Sequence, residues 1–292
     1  MLIQPTVLNR QKFFGFFFKK ERLAFLTLEP VWSERMEWTA PAIVLGVAPH
    51  GEGDAVAAVL TEAHGLHRGL ARGGASRGKA GLWQPGNIVE ARWVARLSEQ
   101  LGSFTAEPVL AAAALAMDDP LALAILTSAC AVAEGALPER EAQPRVFPSL
   151  LHLVAHLSRG AESLTDLVRW EAELLAALGY GLDLGRCAAT GSMEHLAWVS
   201  PRTGRAVSDE AAGEWRSRLL PLPAFLLDRA PAGPVAWRDG LRLTGHFLAR
   251  DVFGLRHRPL PEARLRLLDR VAAMAEEAAP ESEGISPAPP EP

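Results

Sequence analysis

The residues most able to do chemistry lie in one stretch, Gly65 to Trp93, which reads GLHRGLARGGASRGKAGLWQPGNIVEARW. Within it, Gly73 to Lys79 fits G-x-x-x-x-G-K, the spacing with which a glycine-rich loop cradles phosphates. A working phosphate loop needs Ser or Thr next, because that hydroxyl ligates magnesium, and a helix whose N-terminus faces the phosphates. The next residue is Ala80, and Gly81, Pro85 and Gly86 deny a helix of useful length. The motif therefore does not read as a nucleotide site. The other chemistry open to it is charge neutralisation: Arg68, Arg72, Arg77, Lys79, Arg92 and Arg96 are six cations with only Glu90 among them. Glycines let a backbone approach phosphates, and Trp83 is placed to stack on a base, a contact of about 1–3 kcal/mol. The structural alternative is a solvated rim on a small barrel, with Trp83 or Trp93 in the core.

Other constellations are weaker. His152 and His156 stand at i, i+4, a spacing that can hold a metal, but no HExxH context surrounds them and the sequence fixes no third ligand. Ser76, Ser103 and Ser192 have no G-x-S-x-G elbow, so nucleophilic catalysis has no local support and the chain does not read as an enzyme. A second cationic group comprises Arg242, Arg250, Arg256, Arg258, Arg264, Arg266 and Arg270 against Asp251, Glu262 and Asp269. Part of it reads as helix-surface pairing, Arg266 with Asp269 for instance. The excess is expected to extend a DNA track or to meet a partner.

These residues must be carried by something. With 292 residues, 49% of them hydrophobic, the chain has material for one large or two ordinary domains. Its net charge of −4 gives no overall pull toward nucleic acid or anionic lipid, so any electrostatic binding is local. Two cysteines, Cys130 and Cys187, make no disulfide framework and suit a reducing cytoplasm. Phe13 to Phe18 is an apolar run too short for a signal peptide, and no stretch approaches a membrane span. Met36 is a candidate start, which would make residues 1–35 an artefact of the gene model. The stretch 280–292, Pro-rich and acidic, is expected to be a disordered tail.

Alternation and turn clusters predict five strands, Ala42–Ala48, Ala55–Glu62, Leu66–Arg72, Ile88–Arg96 and Ser103–Val109, closing as an OB-type β-barrel over residues 36–112. Alternation places Arg68 with Arg72 on the third strand and Arg92 with Arg96 on the fourth. Alanine in several strands argues against them. From residue 113 to 279 the pattern is helical, giving an α+β chain. Asp119 with Pro120 opens one helix, Ser163 caps a second that Gly179 ends, and Asp239 and Pro261 open two more. Phe147, Leu150, Leu151, Val154 and Leu157 form one buried face. Residues 181–209 read as an irregular insert.

The segments PAIVLGVAPHGEGDAVAAVLTEAHGLHRGLARGGASRGKAGLWQPGNIVEARW, WEAELLAALGYGLDLGRCAATG and WVSPRTGRAV, in this order, resemble the RecO family of recombination mediators over roughly Glu37 to Ala275. Residues 1–35 have no match in it. The resemblance implies an N-terminal OB domain and a helical domain that bind single- and double-stranded DNA and anneal complementary strands. It also implies action with RecR, often RecF, on single-strand binding protein and RecA, in the cytoplasm at the nucleoid. Arg68, Arg72, Arg77 and Lys79 correspond to the family's basic strand and loop. Gly181 to Arg205 corresponds to a tract that holds a four-cysteine zinc module in many members. Here only Cys187 remains, with Thr190 where a CxxC would finish, so no zinc and no other cofactor is expected.

Overall fold

A computed structural model of the chain describes residues 36–97, 99–228 and 230–278. The expectations for residues 1–35 and for the tail 280–292 lie outside the described residues. Five strands, β1 (Met36–His50), β2 (Asp54–Thr61), β3 (Gly65–Ala71), β4 (Ile88–Ala95) and β5 (Ser103–Leu110), close a barrel in the order β1-β2-β3-β5-β4. All neighbours are antiparallel except β3 and β5, whose parallel pairing closes the barrel through Leu70↔Ser103 and Ala71↔Phe104. The fold is the expected OB-type barrel followed by helices. β1 starts six residues before the expected Ala42, because Met36 to Ile43 pairs along β4 from Ala95 to Ile88. Pro41 lacks an N–H and makes that segment a poor strand by sequence alone.

The alanines that argued against strands line the barrel. Ala42, Ala57, Ala71, Ala91 and Ala95 share the interior with Val44, Val59, Val89, Trp83, Trp93 and Phe104. A small closed barrel holds only a mixture of small and large side chains, so alanine is what lets the indoles fit. The alternate residues are also buried: Ile43, Leu45, Leu60, Leu66 and Ile88 join the core of the helical part.

That part contains α1 (Ala112–Ala116), α2 (Pro120–Ala136), α3 (Val146–Ala155), α4 (Ser163–Ala177), α5 (Pro234–Phe247) and α6 (Glu262–Glu277). The Asp119 carboxylate accepts from the N–H groups of Leu121 and Ala122, with Pro120 at the first helical position. Phe147, Leu150, Val154 and Leu157 are buried as expected, with Leu151 at their edge. Ser163 does not cap α4 from its side chain: its hydroxyl donates to the His156 carbonyl at 2.9 Å. Asp239 lies inside α5, which opens at Pro234, a residue suited to the first turn because its missing N–H would have no partner there. Pro261 does precede α6. The stretch read as irregular contains β6 (Leu196–Val199) and β7 (Ala206–Ser208), which with β8 (Leu220–Pro221) form a sheet ordered β7-β6-β8. Strands of four, three and two residues are too short for alternation to register.

Candidate nucleic-acid interface

The loop between β3 and β4 is a chain of turns fastened at both ends. At the near end, Gly73 donates its N–H to the Asp54 carboxylate at 2.7 Å, and Ala75 donates to the Gly53 carbonyl in the β1–β2 turn at 3.0 Å. At the far end, the Asn87 amide donates to the carbonyl of Gly81 at 2.7 Å, and its oxygen accepts from Ala113 N at 3.1 Å. Trp83 is only 2% exposed and packs against Phe104. Between these anchors, residues 75–81 stand in solvent and carry Arg77 and Lys79 outward, while the Lys79 ammonium donates to the Arg72 carbonyl at 3.3 Å. No helix follows the G-x-x-x-x-G-K sequence, only further turns into β4. The loop lacks the dipole end that a nucleotide phosphate would need.

The structure sorts the seven residues proposed for DNA. Trp83 must be withdrawn as a base-stacking residue, because its ring fills the barrel. Arg68 is drawn away from solvent: its guanidinium makes two 3.0 Å ion pairs, with Glu134 on α2 and with Glu139, and so braces the barrel against the helices. Arg72 is not on β3, which ends at Ala71, and so does not share a strand face with Arg68. Arg92 is exposed but held by Glu37 at 2.6 Å. Arg72, Arg77, Lys79 and Arg96 remain exposed with no carboxylate partner among the described residues. Those four are what the sequence cluster leaves for a phosphate chain.

The second cationic group disperses more completely. Arg264 is 1% exposed and forms a bidentate pair with the fully buried Glu171 at 2.5 and 3.0 Å, so it is a core residue. Arg266 pairs with Glu262 one turn earlier rather than with Asp269. Arg250 pairs with Asp251 at 2.7 Å and donates to the carbonyls of Pro201 and Arg202, while Arg256 donates to the Gly135 carbonyl at 3.1 Å. Of these seven, Arg242, Arg258 and Arg270 are exposed with no such partner among the described residues.

Two other readings can be placed. The His152 and His156 rings lie 4.0 Å apart, with His152 Nε2 4.0 Å from Asp166. Among the described residues no three side chains converge as a metal set. The Cys187 thiol is buried, which pushes its pKa up, yet hydrogen bonds from Thr190 and from the N–H and hydroxyl of Ser208 outweigh that and bring it to about 6. The tract read as the remnant of a zinc module is held here by backbone hydrogen bonds such as Ala188 N to the Ala206 carbonyl at 2.8 Å and by the packing of Cys187 with Val207 and Ala212. Cys130 is the opposite case, a thiol pushed up to about 12 by burial and by the nearby Glu134 charge.

Sequence reasoning missed the aromatic assembly at the other end of β3. Trp38 lies nearly parallel to His64, with ring centroids 4.7 Å apart and planes 11° apart, and nearly parallel to Trp93 at 6.1 Å and 17°. His67 and Phe104 meet Trp38 edge-on. Trp93 donates from Nε1 to the Leu101 carbonyl of the β4–β5 loop at 3.1 Å. Trp38 fell outside the expected strand and His64 sits in a turn, so no periodicity joined them.

His67 in this assembly is 6% exposed, and burial first, then the Arg140 charge, lowers its pKa from 6.5 to about 4. A base held neutral in the fold but free to protonate when unfolded makes the unfolded state bind more protons between these values. Stability therefore falls as pH drops from 6.5 toward 4, by on the order of 2 kcal/mol from this residue. Urea unfolding of the His67→Gln variant should show a shallower loss over the upper part of this window than the parent. Parallel pH profiles would remove His67 as the cause.

The comparisons with known proteins agree with this architecture. Residues 36–111 match the family model described as Recombination protein O N terminal, and residues 117–261 match Recombination protein O C terminal. The DNA repair protein RecO of Granulibacter bethesdensis is 64% identical over 244 residues, 82% of this chain and 98% of that protein. Those of Gluconacetobacter diazotrophicus and Rhodospirillum centenum are 58% and 50% identical, covering 96% and 100% of their lengths and 82% and 87% of this chain. With both halves of the barrel-and-helix architecture matched by family models and near-complete alignment to such relatives, the chain belongs to the RecO family.

Proposed function

We propose that this protein is a recombinational DNA repair mediator. It binds single- and double-stranded DNA, anneals complementary strands and, with RecR and in some settings RecF, helps RecA replace single-strand binding protein. The observation that carries this reading is the anchored loop with Arg72, Arg77 and Lys79, and Arg96 in the loop just after β4, which ends at Ala95 rather than at the expected Arg96, exposed on an OB barrel of a RecO family member. The family membership supplies the repair role, since its relatives are named DNA repair proteins. No bond is made or broken in this mechanism. Cations neutralise phosphates on two strands, lower the repulsion that opposes their meeting, and release counterions. The protein works where DNA is, in the cytoplasm, and no helix among the described residues is long and apolar enough to cross a membrane.

The test is single-stranded DNA binding against salt. Four neutralised phosphates give a log-log slope near −3, from about −0.7 for each, so affinity falls about 60-fold between roughly 50 and 200 mM salt. The Arg72→Ala/Arg77→Ala/Lys79→Ala variant should bind weakly at low salt and lose only about threefold over the same range. A slope that stays near −3 in the variant would move the contacts elsewhere, to Arg242, Arg258 or Arg270. Binding that is weak and flat in the parent would favour an OB-fold scaffold that meets proteins instead. That reading draws its support from the carboxylates that hold Arg68 and Arg92.

A further inference from the structure

We propose that the stack of His64 on Trp38 is a seat for one unpaired nucleobase, giving this protein a contact that single-stranded DNA can make and duplex DNA cannot. The inference rests on the reading of the chain as a single-strand binder and adds a named subsite to it.

The stack ends at a partly exposed ring, which His67 also meets edge-on at 6.2 Å. Trp93, Trp38 and His64 form a near-parallel ladder, 17° between the first pair and 11° between the second, that runs from the buried barrel interior to a partly exposed imidazole in the β2–β3 turn. The turn is fixed, since the His64 N–H donates to the Thr61 hydroxyl at 3.0 Å and Gly65 takes a φ of +65°. Burial lowers the His64 pKa, so the ring that ends the ladder is neutral at physiological pH and offers a π-face rather than a point charge. A base laid on that face extends the ladder by one more ring, the same contact by which sequence-tolerant single-strand binders hold their ligand.

Two features set this apart from an ordinary core cluster. Trp38 Nε1 is buried with no hydrogen-bond partner in the described structure, a cost that phenylalanine there would avoid. The ladder also sits beside the β4–β5 loop, through the Trp93 bond to Leu101, and that is one of the two loops by which OB folds take oligonucleotides. Arg96, exposed at the start of the same loop, follows Ala95, which faces Met36 across the ladder only two residues from Trp38. On this proposal Arg96 is the cation that would meet a phosphate next to the seated base. Bases inside a duplex already spend both faces on their neighbours, and only the terminal pairs keep one free, so the seat discriminates strandedness without reading sequence.

The experiment uses the full chain and two probes of equal length, a dT oligonucleotide and a blunt duplex, each at several salt concentrations. His64→Ala should weaken dT binding about 5- to 20-fold while leaving duplex affinity and both salt slopes as in the parent. His64→Phe should restore dT binding, and an oligonucleotide with abasic residues throughout should not tell parent from His64→Ala. The seat is refuted if His64→Ala binds dT as the parent does, if it weakens both probes equally, or if His64→Phe fails to rescue. A parent chain with no salt-dependent binding to either probe would overturn the functional reading itself, and the seat with it.

Discussion

Replacing Arg264 by Met is expected to destabilise the protein by about 3–5 kcal/mol, the cost of leaving a buried carboxylate without its partner. The guanidinium reaches from α6 to Glu171 on α4 through two hydrogen bonds and to the Leu241 carbonyl on α5 at 2.7 Å. The Thr244 hydroxyl on α5 donates to the same Glu171 carboxylate at 2.5 Å. Three helices therefore converge on one ion pair that has almost no solvent exposure. Glu171→Leu should cost a similar amount for the same reason. The double variant Glu171→Leu/Arg264→Met should recover most of the loss, because removing both charges removes the desolvation penalty along with the attraction. Urea unfolding of the parent, both single variants and the double variant gives the coupling directly. A single-variant loss below about 1 kcal/mol would mean that the pair is solvated in solution, contrary to its burial here.

The second large effect is expected at Gly65. A Cβ added there would stand 1.8 Å from the Glu141 carbonyl oxygen and 2.6 Å from its carbon, and the residue takes a φ of +65°. The segment it would strike runs from α2 to α3 along the barrel, with Arg140 N donating to the Leu66 carbonyl at 2.8 Å and Gln143 N to the Glu62 carbonyl at 2.9 Å. Gly65→Ala should cost about 3 kcal/mol or more, combining left-handed strain with displacement of that backbone. Gly51→Ala is the control. Its φ is +60° but nothing lies within 4 Å of the added carbon, so only the strain remains, about 1–2 kcal/mol. Equal losses at the two positions, measured by urea unfolding, would show that the backbone contact at Gly65 contributes nothing.

These two sites show what kind of information a linear sequence withholds. Arg264 read as part of a basic cluster because its neighbours Arg258, Arg266 and Arg270 are charged and surface-bound, yet one residue in that run points inward to a carboxylate 93 positions away. Trp83 read either as a base-stacking aromatic in a polar glycine-rich loop or as core, and only the folded loop, which turns back so that the indole completes the barrel interior, decides between them. Glu134 and Glu139 lie outside the basic stretch in sequence and still take Arg68 from it. In each case local composition was a fair guide to the segment and a poor guide to the single side chain.

The sequence by itself determined the alternating strands and their turns, the capped helix at Asp119, the absence of a helix after the G-x-x-x-x-G-K motif, and the order of segments that marks the family. All of these depend on residues within a few positions of one another, where backbone sterics, alternation and capping act. Tertiary structure alone decided which cations face solvent, which are spent on carboxylates, and that Trp38, His64 and Trp93 line up. Those outcomes depend on barrel closure and on helices docking over it, which bring together groups up to tens of positions apart. Charge pairing and ring stacking act at distances of a few ångströms, and only the folded chain sets those distances.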